Sequence, residues 1–163
     1  MIEKKFPLQV KVEKSLLGGR MFAQCCFVVA DKVIGDFDQT MLFGNLELAT
    51  SDLIKRLKGL PGYDFKNAGN VEEVFNGMSS AFLQGDFSFF EKVPDYMKRY
   101  ELSSDKFSAI PLAVEAFDGE QAFLFKFNEF WLFSWRQWAS DEISSIALDR
   151  DAFVVELELA LKS

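Results

Sequence analysis

Within residues 114–138, VEAFDGEQAFLFKFNEFWLFSWRQW, two runs of Phe, Leu and Trp flank a short polar break. Strand-length apolar runs around a turn predict a β-hairpin, and this is the densest core-forming stretch of the chain. Period-2 alternation puts Phe123, Phe125 and Phe127 on one face of the first run. The same rule gives Trp131, Phe133 and Trp135 a shared face in the second. A hairpin is a scaffold, so function has to be sought in charge, in absent residue types and in resemblance.

The absence of histidine among 163 residues prunes function most. Imidazole is the commonest general base near neutral pH and the commonest metal ligand. Ser-His-Asp and Cys-His sites are therefore excluded. The two cysteines, Cys25 and Cys26, are neighbours in an apolar run and read as reduced, buried thiols, since disulfides and zinc sites both need separated ligands. No Walker-type loop and no G-x-G-x-x-G is present, and Gly18-Gly19 reads as a turn. The expectation is no metal, no cofactor and no enzymatic activity, with carboxylate, Lys or Tyr chemistry as the remaining catalytic option. With 49% apolar and 26% charged residues and no membrane-spanning run or apolar leader, the chain is expected to be a single cytoplasmic globular domain.

Charge is unevenly distributed. Residues 1–63 hold nine Lys/Arg against seven Asp/Glu, whereas residues 115–163 hold four against ten. A negative field repels phosphates and attracts cationic proteins, which argues against direct nucleic-acid binding. Solubility alone also accounts for an acidic surface.

Local patterning gives the element order. Leu8, Val10 and Val12 alternate with Gln9, Lys11 and Glu13 as a strand, and 21–30 reads as a central strand buried on both sides. Asp31-Lys32 is expected to reverse the chain into a strand at 33–37. Leu46, Ala49, Leu53, Ile54 and Leu57 mark a helix over 46–58, with Lys55, Arg56 and Lys58 suiting its C-terminal dipole. Residues 63–70 read as a surface loop. Asn70 and Glu73 form a capping box for a second helix with the stripe Val71, Val74, Phe75, Met78 and Phe82, in which Gly77 is a weak point. Residues 86–113 are expected to be irregular or briefly helical, then strands near 97–102 and 107–110. An edge strand follows at 143–148, and a final helix is capped by Asp149 with Phe153, Val154, Leu157 and Leu161 as its stripe. The sum is an α+β fold, a mostly antiparallel sheet with about three helices, in one domain.

Several clusters have both a chemical and a structural reading. Glu115, Asp118 and Glu120 surround the turn sequence AFDG, and Asp36 and Asp38 flank Phe37; both sets suit an acid/base pair or a cation site as well as plain turns. Trp131, Trp135, Trp138 and Arg136 suit a binding platform as well as a core, and Arg136 would face Trp138 for a cation–π contact if the strand continues. The surface candidate for partner binding runs through Asp118, Glu120, Glu129, Trp138, Asp141 and Glu142, at or beyond the ends of the hairpin strands.

With those residues identified, the chain resembles a family of bacterial immunity proteins from polymorphic-toxin and contact-dependent growth-inhibition systems. The resemblance rests on FVVADKVIGDFD at 27–38 followed by a Leu-rich helix, then EAFDG at 115–119 leading to an aromatic strand pair that ends in Trp135-Arg136, and a final helix. It covers most of the chain outside 59–105. What it implies is a non-enzymatic cytoplasmic protein that binds and neutralises the toxic C-terminal domain of a cognate effector, often a nuclease. An acidic inhibitor suits a cationic toxin domain, because carboxylates mimic phosphate. The alternative is an acidic adaptor whose partner is not toxic.

Overall fold

Gly18 and Gly19 both take positive φ, and the two-residue turn they make joins β1 (Leu8–Leu17) to β2 (Arg20–Val29). The computed structural model describes residues 6–93, 105–136 and 140–162. Strands β1 and β2 pair antiparallel from Leu8–Val29 to Leu17–Arg20, and β1 keeps its expected alternation along Leu8, Val10 and Val12. On the other side β2 pairs with the short β3 (Lys32–Ile34) and β4 (Met41–Leu42). Central placement accounts for the burial of Ala23, Cys25, Cys26, Phe27 and Val29. Both cysteines are free and buried; burial, reinforced by Cys26, pushes the Cys25 thiol up to about 12.

The turn into β3 falls one residue earlier than expected, at Ala30-Asp31, where both residues are left-handed. The strand expected over 33–37 ends at Ile34, because Gly35 at φ 99° bends the chain away. Helix α1 (Phe43–Lys58) starts three residues before the expected boundary and buries Leu46, Leu53 and Leu57. Residues 63–70 are more than a surface loop. They contain a 3-10 turn, Phe65–Asn67, whose Phe65 is fully buried among Phe89, Phe90, Phe107 and Phe125. A single core aromatic between polar residues has no periodicity to reveal it.

Helix α2 (Val71–Gln84) opens with the expected capping box and closes on left-handed Gly85. A 3-10 turn, Ser88–Lys92, then folds Phe89 back against Gly77. The strand expected near 107–110 is reduced to one bridge, Ser108 to Phe123, and the one near 97–102 lies outside the described residues.

The aromatic hairpin is β5 (Gln121–Phe127) and β6 (Phe130–Arg136), and β7 (Ile143–Ala147) adds an edge. The two aromatic faces named from the sequence lie on opposite sides of this second sheet, since Phe123 pairs with Ser134 and Leu124 with Phe133. Phe123 packs on Phe75 of α2 at 5.1 Å between ring centroids, while Phe133 meets Phe153 at 5.9 Å. Phe153 belongs to α3 (Arg150–Lys162), capped by Asp149, whose Oδ2 accepts the Ala152 N–H at 2.9 Å. Trp135 is buried, and Trp131 is half-buried under Arg150. The architecture is α+β, with three helices and two antiparallel sheets among the described residues. Helices α1 and α3 pack together, α3 on β1 and α1 on β2, while α2 packs on β5. Phe153 joins the layers, because its ring contacts both Phe27 of the first sheet and Phe133 of the second.

Candidate functional site: an acidic cleft between the sheets

The segment leaving β3 and the segment entering β5 lie about 80 residues apart in sequence and dock against each other. Asp36 N–H donates to the Ala116 carbonyl at 2.6 Å, and Gly35 N–H donates to Glu120 Oε1 at 3.2 Å. A Cβ on Gly35 would stand 3.0 Å from Phe117 Cε1, so glycine permits the approach as well as the positive φ. Phe117 ends a 3-10 turn, Glu115–Phe117, and stacks obliquely on Phe27 at 5.2 Å. The chain then reverses through Asp118 and left-handed Gly119, with Glu120 N–H donating to the Phe117 carbonyl.

This junction opens into a cleft of about 470 Å³ lined by Val33, Gly35, Asp36, Glu115, Asp118 and Glu120. Of its four carboxylates, Asp36 comes from IGDFD, Glu115 and Asp118 come from EAFDG, and Glu120 follows directly after EAFDG. Asp38 is not part of it; its N–H is held by Asp36 Oδ1 at 3.0 Å in a local turn. Such a cleft suits a Lys or Arg side chain from a protein surface, through charge and hydrogen bonding together. Among the described residues, no group of three or more Cys, Asp or Glu has the geometry to hold a metal ion.

Glu120 is half-buried, and burial raises its carboxyl above the ordinary glutamate range, with the Gly35 N–H offsetting this only in part. A carboxyl raised in the folded state costs stability while ionised, and that cost disappears as pH falls through its folded value. Glu120→Gln keeps an acceptor for Gly35 and carries no charge. The variant is therefore expected to melt higher than the parent at pH 7, with the two converging at about pH 3.5, below the ordinary range. Thermal melts at both pH values check this, and a constant offset at the two would refute it.

The remaining sequence-stated candidates do not gather at the cleft. Glu129 sits in the β5–β6 turn, at the far end of a strand about 20 Å long, at roughly 3.3 Å per residue. That turn is fastened by Asp64, whose carboxylate oxygens accept the Asn128 N–H at 2.8 Å and the Glu129 N–H at 2.7 Å. Burial pushes the Asp64 carboxyl up, but the backbone donors of Glu129, Lys66 and Asn128 outweigh it and leave the group below its ordinary value. Asp141 and Glu142 are exposed just before β7, at the same end of the sheet as Glu120 but two strands across. Trp138 lies outside the described residues. Arg136, expected to face Trp138, lies over the Phe75 ring at 5.4 Å and donates to Asn76 Oδ1 at 2.8 Å. The basic residues expected to suit the dipole of α1 have other partners as well. Arg56 is largely buried and donates to the Ile110 carbonyl at 2.9 Å, and Lys58 pairs with Glu158 at 3.7 Å.

Asp64 is the residue whose role the linear sequence did not disclose. It acts on a backbone distant in sequence, so no local spacing points to it. No protein-family model matches the chain, and neither a curated protein nor a solved structure matches it. Among the described residues, no helix is long and apolar enough to cross a membrane.

Proposed function

We propose that this protein is a bacterial immunity protein: a non-enzymatic cytoplasmic inhibitor that binds the toxic C-terminal domain of a cognate contact-dependent or polymorphic toxin. The observation that carries this reading is the meeting of IGDFD and EAFDG, the two short elements behind the family resemblance, around one acidic cleft. A toxin domain that acts on nucleic acid is cationic where it meets phosphate. Carboxylates on a fixed backbone offer it a substitute anion without the entropy cost of ordering a loop. The net charge of −7 adds long-range attraction, which raises the association rate and is screened by salt.

The test is protection. Cells producing the toxin domain encoded immediately upstream are expected to survive when this chain is co-expressed, and the purified pair is expected to bind. Glu115→Lys/Asp118→Lys reverses two exposed cleft charges and is expected to weaken binding at least tenfold, mainly by slowing association, with a shallower salt dependence. Glu13→Lys/Glu47→Lys, the same change of charge at two exposed positions outside the cleft, is the matched control. Binding by the double variant at parental affinity would remove the cleft from the reading, and failure to protect against that toxin would remove the reading itself.

A further inference from the structure

Strand edges expose unpaired N–H and C=O groups, and proteins commonly blunt them with charge, proline, brevity or a covering segment. Three of the edges here are treated in that way. β1 carries Lys11, Glu13 and Lys14, and β3 is three residues long. The outer side of β5 is covered by the chain at 107–109, where Ala109 N–H donates to the Ala122 carbonyl at 2.9 Å and Leu124 N–H to the Phe107 carbonyl at 3.0 Å. β7 is different: its sequence, ISSIA, has no charge, proline or glycine, and among the described residues no strand pairs with its outer side.

The register shows which backbone groups point outward. Leu148 N–H donates to the Trp131 carbonyl at 3.1 Å, so that pair is a hydrogen-bonded one. In an antiparallel ladder such pairs alternate, which directs Ile146 and Ser144 toward β6 and turns the N–H and C=O of Ile143, Ser145 and Ala147 outward. The Ser134–Ser145 hydroxyl contact of 2.7 Å fits the narrow, non-hydrogen-bonded kind of pair. Acidic residues stand at both ends of this uncharged edge, Asp141 and Glu142 before it and Asp149 with Glu129 after it.

We infer that the outer edge of β7 accepts an extended segment of the partner as an added strand, one with about five uncharged residues and Lys or Arg beyond each end. Backbone pairing supplies affinity and the flanking charges set register and direction. Charge selects this occupant over a second copy of the chain. Antiparallel pairing of two β7 strands about Ser145 would set Asp141 of one copy opposite Asp149 of the other, and like charges placed so are repulsive. The inference rests on the proposed function for the partner's identity and adds a mode of docking distinct from the cleft.

The experiment is amide hydrogen exchange on the full chain, alone and with the upstream-encoded toxin domain. In the free protein the Ser145 and Ala147 amides are expected to exchange much faster than those of Ile146 and Leu148, and the toxin domain is expected to slow them at least tenfold. Ala147→Pro removes one outward donor and leaves the β6 ladder intact, since proline is tolerated at an edge position whose N–H faces solvent. It is expected to weaken the complex at least tenfold. Should that variant misfold, Asp141→Asn/Glu142→Gln provides the second arm, with the same direction of change and a reduced salt dependence. A complex in which Ser145 and Ala147 stay unprotected overturns this inference and leaves the proposed function standing. No complex at all overturns both, and slowing of the same two amides by self-association without toxin overturns the choice of occupant.

Discussion

Phe153→Ala is expected to destabilise the fold by about 4 kcal/mol, in the range measured for emptying a buried phenylalanine site. For a chain of this size that lowers the melting temperature by roughly 10 °C. The expectation follows from position. Phe153 is fully buried and its ring is the shared neighbour of Phe27 and Phe133, at 5.9 Å from each. Truncation leaves a cavity where the two sheets meet, which local collapse on one side cannot fill. Phe130→Ala is the contrast, because Phe130 is 63% exposed at the start of β6 beside the hairpin turn, and a change within about 0.5 kcal/mol is expected there. Urea titrations followed by tryptophan fluorescence and far-UV circular dichroism give both values. A loss below about 1 kcal/mol for Phe153→Ala would show that the sheets do not depend on this joint.

The second large effect comes from Gly77→Ala, paired with Gly44→Ala. Both glycines are helical, and replacing an exposed helical glycine with alanine ordinarily stabilises by about 0.5–1 kcal/mol. Gly44 in α1 has open space around its missing Cβ, so the ordinary gain is expected. At Gly77 a Cβ would fall 2.2 Å from Phe89 Cγ and 2.6 Å from Phe89 Cβ. Those atoms lie at the base of the side chain, so Phe89 has to leave its place, and its ring contacts with Phe65 and Phe90 go with it. Gly77→Ala is expected to lose about 2 kcal/mol despite the gain in helix propensity. Denaturation midpoints of the two variants should therefore move in opposite directions; movement the same way would falsify this account of Gly77.

These two sites mark the border between what is legible in the chain and what is not. Gly77 looks like a defect in α2 when only helix propensity is considered. Its role appears once the Ser88–Lys92 turn returns Phe89 to that helix face. Phe153 was legible as a core position from its stripe, but nothing in the stripe says that it faces two sheets. The expected surface set divides for the same reason. Asp118 and Glu120 join Asp36 and Glu115 at the cleft, whereas Glu129 is carried to the opposite end of the strands by the hairpin itself.

The amino-acid sequence on its own determined the elements whose signals are local. The Gly18-Gly19 turn, the alternation of β1, the Asn70–Glu73 capping box, the aromatic hairpin and the Asp149-capped helix all follow from backbone sterics, side-chain caps and periodic burial within a few residues. Tertiary structure decided which faces are inside and which distant segments meet. It buried Phe65 from within a polar stretch, tied Asp64 to the Asn128-Glu129 turn, and set Gly35 and Asp36 against Ala116 and Glu120. The physical reason is that these contacts depend on how the sheets and helices fill one shared core. Packing of that kind is a property of the assembled layers, and a window of neighbouring residues carries no trace of it.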